Sequence, residues 1–134
     1  MFKEKFDTYA CIGDTISTSS KGFTITARIE FDDNYKIDDD DCHNLDQKVT
    51  GCDDEQFTRL LANRKAWFDD EWFYCGIVLS VSKNEIELVK YAASLWGIEC
   101  NYPDGNNDHL TEAANDLLDA AVDEADSIMA ALVA

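Results

Sequence analysis

A chain of 134 residues holds one domain and little more, and 46% apolar with 29% charged residues suffices to build a core. Its 28 acids against 11 bases leave a formal net charge of −17, which works against DNA, RNA or an anionic membrane surface as direct partners, since all are themselves negatively charged. No apolar stretch reaches the ~18 residues of a membrane span, and Met1–Asp7 lacks the apolar run of a signal peptide, so one soluble, cytoplasmic domain (1–134) is expected.

Asp14–Ser19 is short and β-branched, and Ser20-Lys21-Gly22 supplies a turn with a glycine for positive φ. In Phe23–Phe31, Phe23, Ile25, Ala27, Ile29 and Phe31 alternate with polar residues, the period of a half-buried strand. Asp32–Gly51 has no periodicity and contains Asp38-Asp39-Asp40-Asp41, which predicts a flexible acidic loop over 32–51. Asp53-Asp54-Glu55 places negative charge where a helix dipole favours it, and Phe57, Leu60, Leu61, Arg64 and Phe68 follow at helical spacing.

Trp72–Lys83 predicts a long strand with Phe73, Cys75, Ile77, Leu79 and Val81 on one face and Trp72, Tyr74, Gly76, Val78, Ser80 and Ser82 on the other. Lys83-Asn84 turns the chain, Glu85–Tyr91 returns, and a fifth short strand fits Ser94–Glu99. Pro103–Asn107 breaks the chain, with Asn107 or Asp108 as the cap of a final helix from about His109 to Leu132. The fold class is therefore α+β: an antiparallel sheet of four to five strands in two hairpins, packed by two helices of which the C-terminal one is longer. Phe23, Ile25, Ile29, Ile77, Leu79, Leu117, Leu118, Val122 and Met129 are its expected core.

Charge is unevenly spread. Residues 30–71 and 99–134 each sum to −9, whereas 1–29 sums to +1 and 72–98 to zero. From Glu99 onward there are nine acids and no base. Glu112, Asp116, Asp119, Asp123, Glu124 and Asp126 line the last helix, although acids four apart repel and acids in its last turns oppose the dipole. Such a face either keeps the protein dissolved or meets a basic partner.

Motifs for chemistry are missing. Asp38–Asp41 lacks the alternating acids and glycine of a calcium loop. A zinc site in this stretch would need Cys42, His43, Cys52 and a fourth ligand at a spacing that matches no common pattern. There is no nucleophile elbow, glycine-rich phosphate loop or Cys-x-x-Cys pair, so no catalytic residue, cofactor or metal is expected. His43 and His109 read as solvated residues, and the five cysteines as reduced thiols, with Cys75 in the core. Trp72 and Tyr74 are exposed beside acids if the sheet is covered on one face only, which would make them interface anchors.

Four stretches carry a resemblance: Asp7–Glu30, Asp70–Ser82, Ala92–Pro103 and Leu110–Leu118. They look like a family of small acidic proteins of bacteriophages, plasmids and other mobile elements. The resemblance spans about two thirds of the chain, skips the acidic loop and carries no catalytic residue across. It implies a bacterial, mobile-element setting, where small acidic proteins resemble DNA mimics that block restriction or CRISPR machinery. On that reading Asp38–Asp41 and Glu112, Asp116, Asp119, Asp123 and Glu124 bind the basic groove of a host nucleic-acid-binding complex. The alternative is an accessory protein acting through an aromatic patch at Trp72 and Tyr74.

Overall fold

The computed structural model describes residues 1–133. In chain order they form β1 (Thr15–Ser20), β2 (Phe23–Phe31), α1 (Gln47–Thr50), α2 (Asp54–Phe68), β3 (Phe73–Lys83), β4 (Ile86–Cys100) and α3 (Asp108–Val133). The strands make one antiparallel sheet in the order β1-β2-β3-β4, and the fold is α+β. No helix among the described residues is long and apolar enough to cross a membrane.

Both hairpins close through two-residue turns with positive φ at each central position. Lys21 and Gly22 have φ 52° and 82°, and Asn84 and Glu85 have φ 52° and 67°. That turn type matches the right-handed twist of the flanking strands. Glycine takes such a φ without strain and glutamate does not. Glu85→Gly is therefore expected to raise the urea midpoint, by about 0.5–1 kcal/mol in stability; an unchanged midpoint would show that the Glu85 side chain compensates the strain.

The expected fifth strand lies inside β4, which sets 15 residues against the 11 of β3 and takes up the excess in three register breaks. One break falls at Trp96-Gly97, where Gly97 has φ 73°. Trp96 lies directly on Gly76: a Cβ there would come within 2.3 Å of the indole ring.

One sheet face carries Ile25, Ala27, Ile29, Ile77, Leu79 and Val81 against Leu110, Ala114, Leu118, Ala121, Val122 and Ala125 of α3. All nine expected core residues belong to this cluster, Leu117 and Met129 at its partly exposed margin. The N-terminal arm, for which the sequence predicts no structure, adds Phe2, Phe6 and Ala10. Phe2 N donates to Asn115 Oδ1 at 2.8 Å and Phe6 N to Thr111 Oγ1 at 3.0 Å, so the arm runs along the start of α3.

Two local expectations are corrected. Asn107 does not cap α3: it has φ 66°, and its buried side chain turns back to hold the arm. Asp108 N is instead satisfied by Asn106 Oδ1 at 3.0 Å. In α2, the Asp53–Gln56 capping box forms, but Leu61 and Phe68 are exposed and Leu60, Arg64 and Ala66 are the buried positions. The helix is rotated so that its buried edge meets the segment before it and the strand after it.

Candidate functional site

The second face of the sheet is covered at one end. Alternation along β3 puts Trp72 and Tyr74 opposite the α3 core, as the sequence indicates. Both are only 1% exposed, however, so the exposed anchors expected there do not exist. Their cover comes from Ile37, Ala66, Trp67, Tyr35 and Tyr102, contributed by the segment before α1, the end of α2 and the chain after β4. The stretch expected to be an irregular acidic loop forms two 3₁₀ turns, Ile37–Asp39 and Asp41–His43, followed by α1. Ile37 and His43 anchor it in the interior, so the expectation of a solvated His43 is also corrected.

Trp72 sits at the centre of this second core. Its ring meets Tyr102 edge-on at 4.8 Å and Tyr74 at 5.1 Å between centroids, and Nε1 donates to Asn63 O at 2.8 Å. Polar contacts run alongside. Tyr74 Oη donates to Asp40 Oδ2 at 2.8 Å, and His43 Nδ1 lies 3.1 Å from that same oxygen. Cys42 N donates to Asp40 Oδ1 at 3.0 Å. His43 Nε2 lies 2.7 Å from Tyr102 Oη, which accepts from Asn63 Nδ2 at 3.0 Å. Arg64 crosses beneath, Nη1 donating to His43 O at 2.9 Å and Nη2 to Asp38 Oδ1 at 2.7 Å.

The four consecutive aspartates thus have different roles. Asp40 belongs to the buried network and caps the second 3₁₀ turn. Asp38 pairs with Arg64, and Asp39 Oδ2 accepts from Lys36 N at 3.0 Å. Asp41 is exposed. Burial pushes the Asp40 carboxyl up, but the Tyr74 hydroxyl, the Cys42 amide and His43 together hold it below the ordinary range.

Glu99 enters the same cluster from the end of β4, and the sequence does not single it out. Burial raises its carboxyl and the Asp40 charge adds to that, against the opposing pull of His43. Its backbone carbonyl receives the ring of His109. A cleft of about 630 Å³ opens beside the network, lined by Cys42, His43, Cys52, Arg59, Asn63 and Tyr102 among others. The Asp40 charge and then burial push the Cys42 thiol up, and burial with the Glu99 charge pushes the Tyr102 hydroxyl up. Both shifts run opposite to the lowering by which a thiol or phenol is activated through its own pKa.

The acids of α3 form a separate surface on the other side of the sheet. Glu112, Asp116, Asp119, Asp123 and Glu124 are all exposed. At about 100° per residue, Asp108, Glu112, Asp116, Asp119, Asp123 and Asp126 fall within a stripe roughly 80° wide, with Glu124 to one side. None of them takes part in an ion pair among the described residues. Lys3 and Lys5 of the arm share a shallow cavity with Asp108 and Glu112, so basic side chains lie only beside the row's first turns. Because α3 and Asp38–Asp41 cover opposite faces of the sheet, the structure does not join the two groups of acids that the sequence reading combined.

Exposed aromatics occur next to Trp72 and Tyr74 rather than at them. Phe31, Phe68 and Trp96 are exposed, and with Tyr35, Trp67 and Phe73 they line two adjoining cavities of about 720 and 240 Å³. Comparison with known proteins adds no relative: no protein-family model, no curated protein and no solved structure matches the chain.

Proposed function

We propose that the chain is a non-enzymatic acidic binding domain that occupies the basic, nucleic-acid-binding groove of a host defence complex of the restriction or CRISPR type. The cytoplasm of a bacterium carrying a phage or plasmid is the setting implied by the resemblance above. One observation carries the reading: the single-sided, unpaired acid row of α3. Eighteen residues separate Asp108 from Asp126, about 27 Å of helix with roughly one acid per 5.4 Å turn. A DNA strand presents one phosphate per ~3.4 Å, so the row approaches the linear charge density of one strand. A helix selected for stability alone would intersperse lysines on such a face.

The triple replacement Asp116→Asn, Asp119→Asn and Asp123→Asn keeps shape and removes three charges. The expected result, against a partner captured from bacterial lysate at low salt, is a roughly tenfold fall in association rate with a flatter salt dependence. Unfolding should be unchanged or slightly harder, because like-charge repulsion is relieved. Unaltered binding kinetics at low salt would reduce the row to a solubilising face. DNA should compete with the protein for the captured partner.

The aromatic cavities around Phe31, Phe68 and Trp96 support a second reading, an accessory protein that binds through an apolar patch. Binding through that patch would resist salt and would respond to Trp96→Ala rather than to the triple Asn variant.

A further inference from the structure

We propose that Asp40, His43 and Glu99 form a binding site for a divalent first-row transition ion of the zinc class, at the rim of the cleft beside α2. One ligand atom from each of the three lies within 4.8 Å of the others. This set differs from the Cys42, His43 and Cys52 combination that sequence spacing argues against, because Glu99 comes from a distant strand.

Geometry favours a shared ion. Zinc sits about 2.0–2.2 Å from nitrogen and oxygen ligands, so two corners of a tetrahedron are about 3.3 Å apart. His43 Nδ1 and Asp40 Oδ2 are 3.1 Å apart, close to that edge, so an ion can take the place of the proton between them. Glu99 closes the third corner after a small side-chain adjustment, and the adjoining cleft leaves the fourth open to water.

Outer contacts supply the second argument. Metal-bound histidines donate their other ring N–H to a fixed acceptor, and metal-bound carboxylates are themselves hydrogen-bonded. His43 Nε2 faces Tyr102 Oη at 2.7 Å. Asp40 is held by Cys42 N at 3.0 Å and Tyr74 Oη at 2.8 Å. All these orienting groups are in place, and an ion would displace only the proton shared by His43 Nδ1 and Asp40 Oδ2. The Glu99 carboxylate, partly buried beside a second carboxylate, has no hydrogen-bond partner among the described residues. A dication neutralises both carboxylates at once. One imidazole with two carboxylates suits zinc or cobalt and gives too few oxygens for calcium.

The test is calorimetric titration of chelator-treated protein with zinc chloride, and with cobalt(II) chloride read by its visible absorption. Expected are one ion per chain, a rise in melting temperature on saturation, and the intense visible bands of four-coordinate cobalt. Glu99→Gln keeps side-chain shape, and His43→Gln serves as the second variant. Glu99→Gln should weaken zinc binding at least tenfold and abolish the thermal shift, while the unloaded protein becomes no less stable, since a desolvated charge is removed. Binding should persist in the double variant Cys42→Ser, Cys52→Ser. No binding to the native chain, binding indifferent to Glu99→Gln, or binding lost with the two cysteines would each overturn the proposal. The acid row of α3 is on the other sheet face, so either result leaves the binding-domain reading to its own test.

Discussion

Trp72→Ala is expected to destabilise the domain by about 3–5 kcal/mol in a urea melt, the usual cost of emptying a fully buried aromatic site. The residue is 1% exposed and its ring touches those of Tyr74, Tyr102 and His43. Collapse cannot readily fill the space, because its neighbours are tied into hydrogen bonds that a shift would break: Tyr74 to Asp40, Tyr102 to His43 and Asn63. Trp72→Phe separates the two components. It keeps most of the packing but strands Asn63 O, which now accepts from Trp72 Nε1 at 2.8 Å, and should cost about 1–3 kcal/mol for the unsatisfied carbonyl. The near-UV circular dichroism should lose intensity in both variants, more in the alanine. A loss below about 1 kcal/mol for Trp72→Ala would show that the Asp32–Gly51 segment and α2 do not close this face of the sheet.

That second core marks where the sequence stopped being legible. The first core was readable because β2 and the outer half of β3 alternate cleanly and α3 carries an uninterrupted apolar stripe, so each element declares its own face. From Trp72 to Val78 the second face carries Trp72, Tyr74, Gly76 and Val78 before Ser80 and Ser82 follow, and a strand that is apolar on both faces is covered on both there. That signal was present and bears directly on Trp72 and Tyr74. What covers them could not be read from the same pattern. The roof is a segment of short turns, in which Asp32, Ile37 and His43 are the buried residues among many exposed acids, so no periodicity reveals its inward-facing side. Four adjacent aspartates look alike in sequence, yet the fold assigns Asp40 to the interior and Asp41 to solvent. Glu99 is a further case: its partners Asp40 and His43 lie more than fifty residues away, and only the closing of β4 onto β3 brings them together. The acid row of α3, by contrast, needed only the helical period, and all of it is exposed.

Asn107→Ala should cost about 3 kcal/mol or more, and should loosen the N-terminal arm beyond the site of mutation. Asn107 is 1% exposed and bonds at both ends of its amide. Nδ2 donates to Asp7 O at 3.1 Å, Thr8 O at 3.2 Å and Asn101 Oδ1 at 2.9 Å, while Oδ1 accepts from Asn101 N at 2.9 Å. Asn101 completes the clasp, exchanging two bonds of 2.8 Å with the backbone of Ala10. Alanine removes every contact made by the amide and also adopts φ 66° with more strain than asparagine, which tolerates that region. Asn107→Gly relieves the strain without restoring the bonds, so the difference between the two variants isolates the conformational part. Asn107→Asp should be at least as damaging as alanine, because it turns a donor into an acceptor facing three oxygens. Hydrogen exchange at the amides of Phe2 and Phe6 reads the arm independently, since these bond to Asn115 and Thr111 and are untouched by the mutation. Their exchange should accelerate in all three variants; unchanged protection would confine Asn107 to its own turn. An arm set free also carries Lys3 and Lys5 away from Asp108 and Glu112, leaving the acid row of α3 without basic neighbours along its whole length. If that row engages a basic partner, the Asn107→Gly protein should then associate faster at low salt than the native chain, with a steeper salt dependence.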